Sequence, residues 1–386
     1  MATPSLDPAD VRRHFPALAD GLARFDGPGG SLVPTPVAQA VAGAMTSGMC
    51  QRDGFSGPGR RTEQVTADAR AALGRFLGTD PRGVVFGRSM TQLTFDLART
   101  LATGWGPGDE VVVTRLDHDA DIRPWVIAAE RVGATVRWLD LDPATGELDD
   151  LATVLSERTR LVAVTGASNL IGTRPDVEAI VAAAHGVGAL VHLDAVHLAA
   201  HAPVDRAALG VDLLAVSPYK FTGPHLGALA ADPALLETLH PDKLMPSTDA
   251  VPERLELGTL PYELLAGVTA AVDFLDGLGG MAAVEASEDV LLTRLLDGLA
   301  GLPAVTVHGA PARRTPTVLV TVEGHRPRAV AEHLLGHDVV APAGHFYALE
   351  ASRRLGLGDE GGLRVGLAPY TSAGEVDRLL EGLAAL

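Results

Sequence analysis

The chain has 386 residues, a formal net charge of −17 and a single cysteine, Cys50. The length predicts one large domain with a smaller companion, and the hydrophobic content of 47% excludes a largely disordered chain. The negative charge argues against nucleic acid and anionic membranes as partners, and one cysteine excludes an intramolecular disulfide. Because no signal-like or membrane-spanning apolar run is present, we expect a cytoplasmic protein.

The middle of the chain alternates short β-branched strands with amphipathic helices, as in a parallel sheet covered by helices. The predicted strands are 83–87, 110–116, 135–141, 160–167, 189–196 and 211–217. The predicted helices among them are 89–102, 123–133, 149–159 and 174–188. This repeated order predicts an α/β fold with right-handed crossovers.

After residue 260 the pattern changes to long helices and isolated strands. The predicted elements are helices at 261–278, 284–302, 328–336 and 373–386 and strands at 304–308 and 316–322. We therefore expect three regions. They are an N-terminal segment (1–30) beside the small domain, a large domain (31–260), and a long linking helix with the small α+β domain (261–386).

Ligands of open α/β sheets bind at the carboxyl ends of the strands, and four such ends carry polar residues. Ser89 and Thr91 begin a helix, where free N–H groups favour an anion, although simple capping explains the same residues. Asp194 ends an apolar strand, either as a paired carboxylate or as a cap. Lys220 follows another strand, either as an amine nucleophile or as a solvated loop lysine. Asn169 marks the fourth end.

Lys220 carries extra weight because the chain has only one other lysine, Lys243, which we interpret as solvated. An anion site, a carboxylate and a lysine at the ends of one sheet match the needs of pyridoxal phosphate (PLP). The helix start would bind the phosphate, Asp194 would keep the pyridine nitrogen protonated, and Lys220 would form the Schiff base.

The segments DAVHLAAH and SPYKFTGPHLGAL, with Asp194 and Lys220 26 positions apart, resemble the class V aminotransferase family in its cysteine desulfurase-like branch. The resemblance extends over nearly the whole chain. It implies a fold-type I PLP-dependent enzyme with a mainly parallel seven-stranded sheet in the large domain and a smaller α+β domain. It also implies a homodimer and a small-molecule amino-acid substrate.

The resemblance gives each matching residue a role in holding the cofactor. Lys220 would bind PLP covalently and move protons at the substrate α-carbon. Asp194 would pair with the pyridine nitrogen, and His118 would stack on the ring. Asn169 and His197 would lie near the phenolic oxygen.

The resemblance also implies how the phosphate and the substrate would bind. The phosphate ligands would be Ser89, Met90, Thr91, Ser217 and Tyr219. Thr259 would reach the phosphate of the neighbouring subunit. Arg364 would bind the substrate carboxylate in the bidentate geometry that suits arginine. Arg60, in a glycine-rich loop, would meet an anionic substrate at the shared entrance.

The chain departs from cysteine desulfurases at the loop that carries their reactive cysteine. In PAGHFYALEA (342–351), Tyr347 stands where that cysteine would be, and a phenol cannot accept sulfane sulfur. The only thiol, Cys50, is far away in sequence, so we do not expect persulfide chemistry. Tyr347, His345 and His197 are either general acid/base groups or walls of the substrate site.

Our leading hypothesis is therefore a carbon–sulfur lyase that cleaves an S-substituted cysteine by β-elimination to a thiol, pyruvate and ammonia. Relatives in this branch include such lyases, some in secondary metabolism. The alternatives are decarboxylation coupled to deamination, and transamination or epimerisation. A PLP-binding scaffold without turnover is a further alternative, but it would not require Lys220, Asp194, His118 and Arg364 together.

Two histidine-containing segments resemble metal-site patterns. DHDAD (117–121) offers four potential ligands, but alternating exposed acids in a loop, with His118 stacked on the cofactor, explain it better. His333 and His337 lie one helical turn apart without a third ligand, so we interpret them as surface residues and predict no metal.

Overall fold

The structure is a computed structural model that describes residues 6–386. In chain order its strands are β1 (Ala23–Arg24), β2 (Val84–Gly87), β3 (Glu110–Thr114), β4 (Thr135–Leu139), β5 (Thr159–Thr165), β6 (Leu190–Asp194), β7 (Leu213–Val216), β8 (Gly227–Ala231), β9 (Val305–His308), β10 (Thr317–Val322), β11 (Val339–Val340), β12 (Ala343–Gly344) and β13 (Gly362–Gly366). Its helices are α1 (Pro8–Arg12), α2 (Thr35–Thr46), α3 (Gly57–Leu77), α4 (Met90–Ala102), α5 (Arg123–Val132), α6 (Val177–Gly186), α7 (Arg206–Leu209), α8 (Pro233–Thr238), α9 (Tyr262–Gly277), α10 (Met281–Ala300), α11 (Pro327–Leu335), α12 (Leu349–Arg354) and α13 (Ala373–Ala384).

Seven strands form the central sheet in the order β2-β8-β7-β6-β5-β3-β4, which confirms the predicted α/β fold. β8 runs antiparallel to both of its neighbours, whereas the pairings from β7 to β4 are parallel. Successive side chains of a strand point to opposite faces, so Val112 packs with α3, α6 and α9 while Val111 and Val113 pack with α4 and α5. Both faces of the sheet are thus buried.

A second, antiparallel sheet of order β12-β13-β10-β9 packs against α10, α11 and α13. The N-terminal segment joins this region, because β1 pairs with β11 and Phe15 packs on Tyr370 with ring centroids 4.8 Å apart. The segment that follows β1 contains a tight turn at Gly27–Gly29. That turn brings the N-terminal segment beside the loop of Lys220.

The prediction of a helix at 149–159 is wrong, because the chain forms only a single tight turn at Leu151–Thr153. Polar side chains there bind the local backbone: Asp150 accepts from the Ala152 N–H at 3.0 Å, and Thr159 accepts from the Ser156 N–H at 3.1 Å. Such bonds compete with the helical ladder. The sequence also did not predict α2, α3 or β8.

Among residues 6–386, no single helix is long and apolar enough to cross a membrane. The bent pair α9 and α10 meets the length and composition criteria only when the two are taken together. Much of its apolar surface lies in the protein core, for example at Leu265, Val272 and Leu295.

Candidate active site

One pocket at the carboxyl ends of the parallel strands collects every predicted cofactor-binding residue except Thr259. The residues concerned are Ser89, Met90, Thr91, His118, Asn169, Asp194, His197, Ser217, Tyr219 and Lys220. They follow β2, β3, β5, β6 and β7, so they approach the pocket from five different strands. Thr165 and Ala167, which the sequence did not single out, complete the wall after β5.

Lys220 lies in the turn Pro218–Lys220 directly after β7. Its amine donates to the carbonyl oxygens of Pro28 and of Gly29, the latter at 3.1 Å. Burial, and then the charge of Arg364, lower the pKa of this amine to about 7. A large fraction of the amine is therefore neutral, and thus nucleophilic, near neutral pH. The alternative of a solvated loop lysine is wrong.

Asp194 ends β6 and is buried, with one carboxylate oxygen accepting from the Val196 N–H at 2.9 Å. Burial raises the pKa of this carboxyl, whereas the Val196 N–H, His192 and Lys220 lower it. The hydrogen bond from the Val196 N–H is one that a capping residue would accept. The Asp194 side chain also lines the pocket, so capping is not its only possible role. A cation in the pocket would therefore find a carboxylate whose charge it can stabilise.

The proposed anion site is the start of α4. Ser89 uses its hydroxyl to cap the helix, accepting from the Gln92 N–H at 3.1 Å, as the capping alternative expected. The first helical N–H groups have no acceptor within the helix and lie at the positive end of its dipole. Gly227 lets β8 pass close to them, because a Cβ there would lie 2.2 Å from the Met90 nitrogen.

His118 forms the outer side of the pocket. Its Nδ1 accepts from the Ala120 N–H at 3.0 Å, and its ring stacks on Tyr347 with centroids 5.3 Å apart. Burial, followed by the charges of Lys220 and Arg364, lowers the pKa of this imidazole to about 4. A neutral, flat ring fixed in this way suits stacking on an aromatic cofactor.

Two buried polar atoms of the pocket residues, Asn169 Oδ1 and His197 Nδ1, have no hydrogen-bond partner in the described chain. His197 Nε2 is held by the hydroxyls of Thr315 at 3.1 Å and Thr317 at 3.0 Å, and Asn169 donates to the Phe346 carbonyl at 2.9 Å. Leaving a buried polar atom unpaired costs about 1–3 kcal/mol, so both atoms point to a polar ligand. Together with an amine, a carboxylate and a helix N-terminus, they fit PLP.

Arg364 on β13, in the small domain, is not among the lining residues of the pocket, but it is buried near enough to Lys220 for its charge to lower the pKa of that amine. It donates to the Asn169 carbonyl at 2.9 Å, and its guanidinium carbon lies 3.7 Å from the centroid of the Phe346 ring. Burial lowers its pKa to about 9, so the side chain remains a cation at neutral pH. Phe346 was not among the predicted site residues. Its position between His345 and Tyr347, both of which were predicted, could have indicated it.

Tyr347 stands at the entrance with 68% of its surface exposed. Phe346 and Tyr347 adopt positive φ angles of 50° and 61°, which are uncommon for side chains of this size. The Tyr347 carbonyl accepts from the Asp119 N–H at 2.8 Å, which ties this loop to the loop of His118. His345 is not among the residues that line the pocket.

Thr259, Arg60 and Cys50 lie away from the Lys220 pocket in the same chain. Thr259 accepts from the Gln51 amide at 3.3 Å and shares a surface depression with Cys50 and Met45. The prediction that Arg60 lies in a loop is wrong, because the helix α3 begins at Gly57; Arg60 donates from its first turn to the Phe55 carbonyl in the loop before it.

The interpretation of DHDAD as alternating exposed acids is wrong for two of its three carboxyls. Asp117 and Asp121 are fully buried behind the pocket, and only Asp119 is partly exposed and paired with Arg123. A contact with a distant strand accompanies this burial, because Asp121 Oδ1 lies 2.7 Å from Nδ1 of His192 in the middle of β6. The alternating acids of DHDAD do not by themselves indicate that β6 lies next to this segment.

The model of the family described as class-V aminotransferases matches residues 24–379. The chain belongs to this family. An uncharacterised protein of Mycobacterium tuberculosis is 34% identical over 98% of this chain and 99% of its own length. A probable cysteine desulfurase of Mycobacterium leprae is 34% identical over 81% of this chain and 79% of its own. The apo structure of a cysteine desulfurase from Thermococcus onnurineus superposes with a TM-score of 0.92 at 27% identity, covering 100% and 99% of the two chains.

Membership of this family confirms two predictions, the PLP-dependent fold-type I architecture and PLP as the cofactor. The residues that would hold the cofactor are those of the pocket: Lys220 for its aldehyde carbon, Asp194 for its ring nitrogen, and the start of α4 for its phosphate. The individual contacts of these residues with PLP stay predictions.

Proposed function

We propose that the protein is a PLP-dependent carbon–sulfur β-lyase that acts on cysteine or an S-substituted cysteine. One observation carries the proposal: no thiol lines the pocket, and the phenol of Tyr347 stands at its entrance, stacked on His118. The single cysteine of the chain, Cys50, is on a separate surface. Within one chain, a site of this kind can cleave a carbon–sulfur bond but contains no thiol that could accept sulfane sulfur.

The residues of the pocket divide the work of such a reaction. When bound, PLP supplies an electron sink that stabilises negative charge at the substrate α-carbon. Lys220, whose pKa is about 7, can remove the α-proton near neutral pH and return it later. Arg364 offers a buried guanidinium for the substrate carboxylate. The β-sulfur then leaves as a thiol, and addition of water to the remaining fragment gives pyruvate and ammonia.

Several similar proteins are named cysteine desulfurases, and this supports a cysteine-type substrate. Desulfurases and β-lyases share the need for an amine base, a carboxylate clamp and the cofactor. They differ in whether sulfur passes to a protein thiol. The entrance residue therefore decides between the two, and here that residue is Tyr347.

We also propose a homodimer in which Thr259 completes the site of the neighbouring subunit. Thr259 is distant from the Lys220 pocket of its own chain, and large apolar side chains are exposed on this face or near it. They include Met45, which lines the same depression as Thr259, and Leu257, two residues before Thr259 in the sequence. A second copy of the chain would cover such side chains and bring Arg60 to the shared entrance.

The dimer can be tested by mixing two inactive variants, Lys220→Ala and Thr259→Asp. In a mixed dimer, one site combines Lys220 of one chain with Thr259 of the other, so random exchange should restore about a quarter of the wild-type activity. Light scattering would verify that mixed dimers form. Mixed dimers without any recovery would overturn the shared site.

The reaction is tested by incubating the PLP-loaded protein with cysteine and S-alkyl cysteines and identifying all products by mass spectrometry. We expect the alkyl thiol, pyruvate and ammonia in equal amounts. Carbon dioxide with an aldehyde that retains the sulfur would instead establish decarboxylation. A keto acid that retains the sulfur would establish transamination, and absence of all products would favour the scaffold.

Two variants separate lyase from desulfurase chemistry. Tyr347→Cys places a thiol at the entrance and should yield a protein persulfide with cysteine as substrate, whereas the wild type should not. Cys50→Ser is the matched control and should leave product formation from S-alkyl cysteines unchanged. If Cys50→Ser abolished sulfur release from cysteine, the distant thiol would be the acceptor and the lyase proposal would be wrong.

A further inference from the structure

Behind the pocket lies a sealed group of ionisable side chains, Asp117, Asp121, His192 and Asp194, which we name the buried acid cluster. The first three have 0% of their surface exposed, and only Asp194 reaches the pocket. They come from the loop before α5 and from β6. The reaction described above uses Asp194 but gives the other three no role.

The side chains of the cluster are in direct contact. His192 and Asp194 are two residues apart on β6 and therefore share one face of the sheet. His192 Nδ1 lies 2.7 Å from Asp121 Oδ1, which also accepts from the Trp125 indole at 3.0 Å. The Trp125 ring packs edge-on against His192 with centroids 5.1 Å apart.

Asp117 extends the cluster on the side away from His192, and its carboxyl accepts from the Thr114 hydroxyl. One oxygen each of Asp117 and Asp121, and both ring nitrogens of His192, have no hydrogen-bond partner of regular geometry among residues 6–386, although His192 Nδ1 lies close to Asp121. Within those residues, no arginine or lysine forms an ion pair with either aspartate. Three carboxyls thus share a closed space with one imidazole.

Three carboxylates cannot all be ionised at such close range without a cation. Burial raises the pKa of Asp117 and Asp121 well above the ordinary range, and a neighbouring carboxylate raises each further: Asp121 acts on Asp117, and Asp194 acts on Asp121. Burial lowers the pKa of His192 to about 4. Burial raises the pKa of Asp194 as well, but at this carboxyl the Val196 N–H, His192 and Lys220 oppose the rise and favour the charged form.

We propose that Asp121 and His192 are positioning residues that act through Asp194. With Asp117 they retain protons inside the cluster, so that its negative charge resides on the single carboxylate that faces the ring nitrogen of PLP. Their role is to keep that nitrogen protonated. The proposal depends on the cofactor and not on the bond that is cleaved, so it can hold or fail independently of the lyase reaction.

The test uses the PLP-loaded enzyme and follows the visible absorbance of the Lys220-bound cofactor against pH. Replacing His192 by leucine removes a polar ring, neutral near pH 7, that lies beside Asp194 on the same face of β6. The ring nitrogen then becomes less positive, so protons bind the Lys220–cofactor linkage more strongly. We expect the absorbance midpoint of His192→Leu to move to higher pH by about one unit, and the dissociation constant for PLP to rise roughly tenfold.

Asp121→Asn keeps a neutral hydrogen-bonding group of the same shape. If Asp121 carries a proton, this variant should shift the midpoint by less than a third of the His192→Leu shift. Asp119→Asn, in the same loop but partly exposed, is the matched control and should not move the midpoint. Circular dichroism and the melting temperature of each apo-protein would establish that the variants fold, and His192→Gln replaces His192→Leu if the latter does not.

Two results would overturn the proposal. If the His192 variant is less stable but keeps the wild-type midpoint, the cluster has only a structural role. If Asp121→Asn shifts the midpoint as strongly as the His192 variant, Asp121 acts as a charge and not as a proton carrier.

Discussion

The two sides of the active-site pocket differ in construction. The side formed by the central sheet consists of residues that follow buried parallel strands, such as Asp194 and Lys220, with side chains fixed by backbone groups. The opposite side is a loop of the small domain, in which Phe346 and Tyr347 adopt positive φ angles and Tyr347 is largely exposed. The difference indicates that the rigid side serves the cofactor chemistry shared by the family. We expect the loop side to select the substrate and the fate of its sulfur.

The largest effect should come from the rigid side. Lys220→Ala removes both the attachment point of PLP and the base at the α-carbon, so kcat/KM should fall by more than roughly a thousandfold. Absorbance of the purified protein would show whether PLP remains covalently bound. Lys243→Ala, at the other lysine, is the control and should retain full turnover.

Arg364 belongs to the small domain but is buried like the residues of the rigid side. Its substitution therefore shows whether it behaves like the rigid side or like the loop side. Arg364→Lys keeps the charge but loses bidentate binding and the stacking on Phe346, and kcat/KM should fall roughly a hundredfold. Steady-state kinetics with S-methyl cysteine would measure it. Arg326→Lys, an exposed residue paired with Glu360, should behave as wild type; equal losses in both variants would contradict the assignment.

The rigid side also predicts a pH dependence. The Lys220 amine has a pKa lowered to about 7, so it is protonated below that pH and neutral above it. Because only the neutral amine attacks an aldehyde, the rate of PLP attachment to apo-protein should rise about tenfold between pH 6 and pH 8 and then level off. Stopped-flow absorbance would follow the attachment. A rise centred near the ordinary lysine pKa would show that burial does not act on this amine.

The smallest effect should come from the loop side. Tyr347→Phe removes only an exposed hydroxyl and keeps the ring stacked on His118, so turnover of S-alkyl cysteines should change by less than about threefold. Kinetics at several pH values would measure it. A loss of tenfold or more, with a missing limb in the pH profile, would assign Tyr347 as a general acid.

The sequence was sufficient for the features that depend on the local order of residues. The strand-end positions of Asp194 and Lys220 followed from apolar runs with a polar stop, and the family resemblance followed from the segments around them. Prediction from the sequence failed where a contact joins segments that are distant in the chain. The carbonyls of Pro28 and Gly29, which accept from the Lys220 amine, lie 192 and 191 positions before it in the sequence. The burial of Asp117 and Asp121 likewise depends on β6.

The sequence by itself determined the fold class, the cofactor and most of the residues that line the pocket, because apolar periodicity and local motifs encode strands, helices and the turns between them. Only the tertiary structure decided which carboxyls are buried, that Cys50 lies outside the Lys220 pocket of its own chain, and that the loop of Phe346 and Tyr347 lies beside His118. Charge states depend on burial and on neighbours within a few ångströms, and those neighbours come from segments that are remote in the chain.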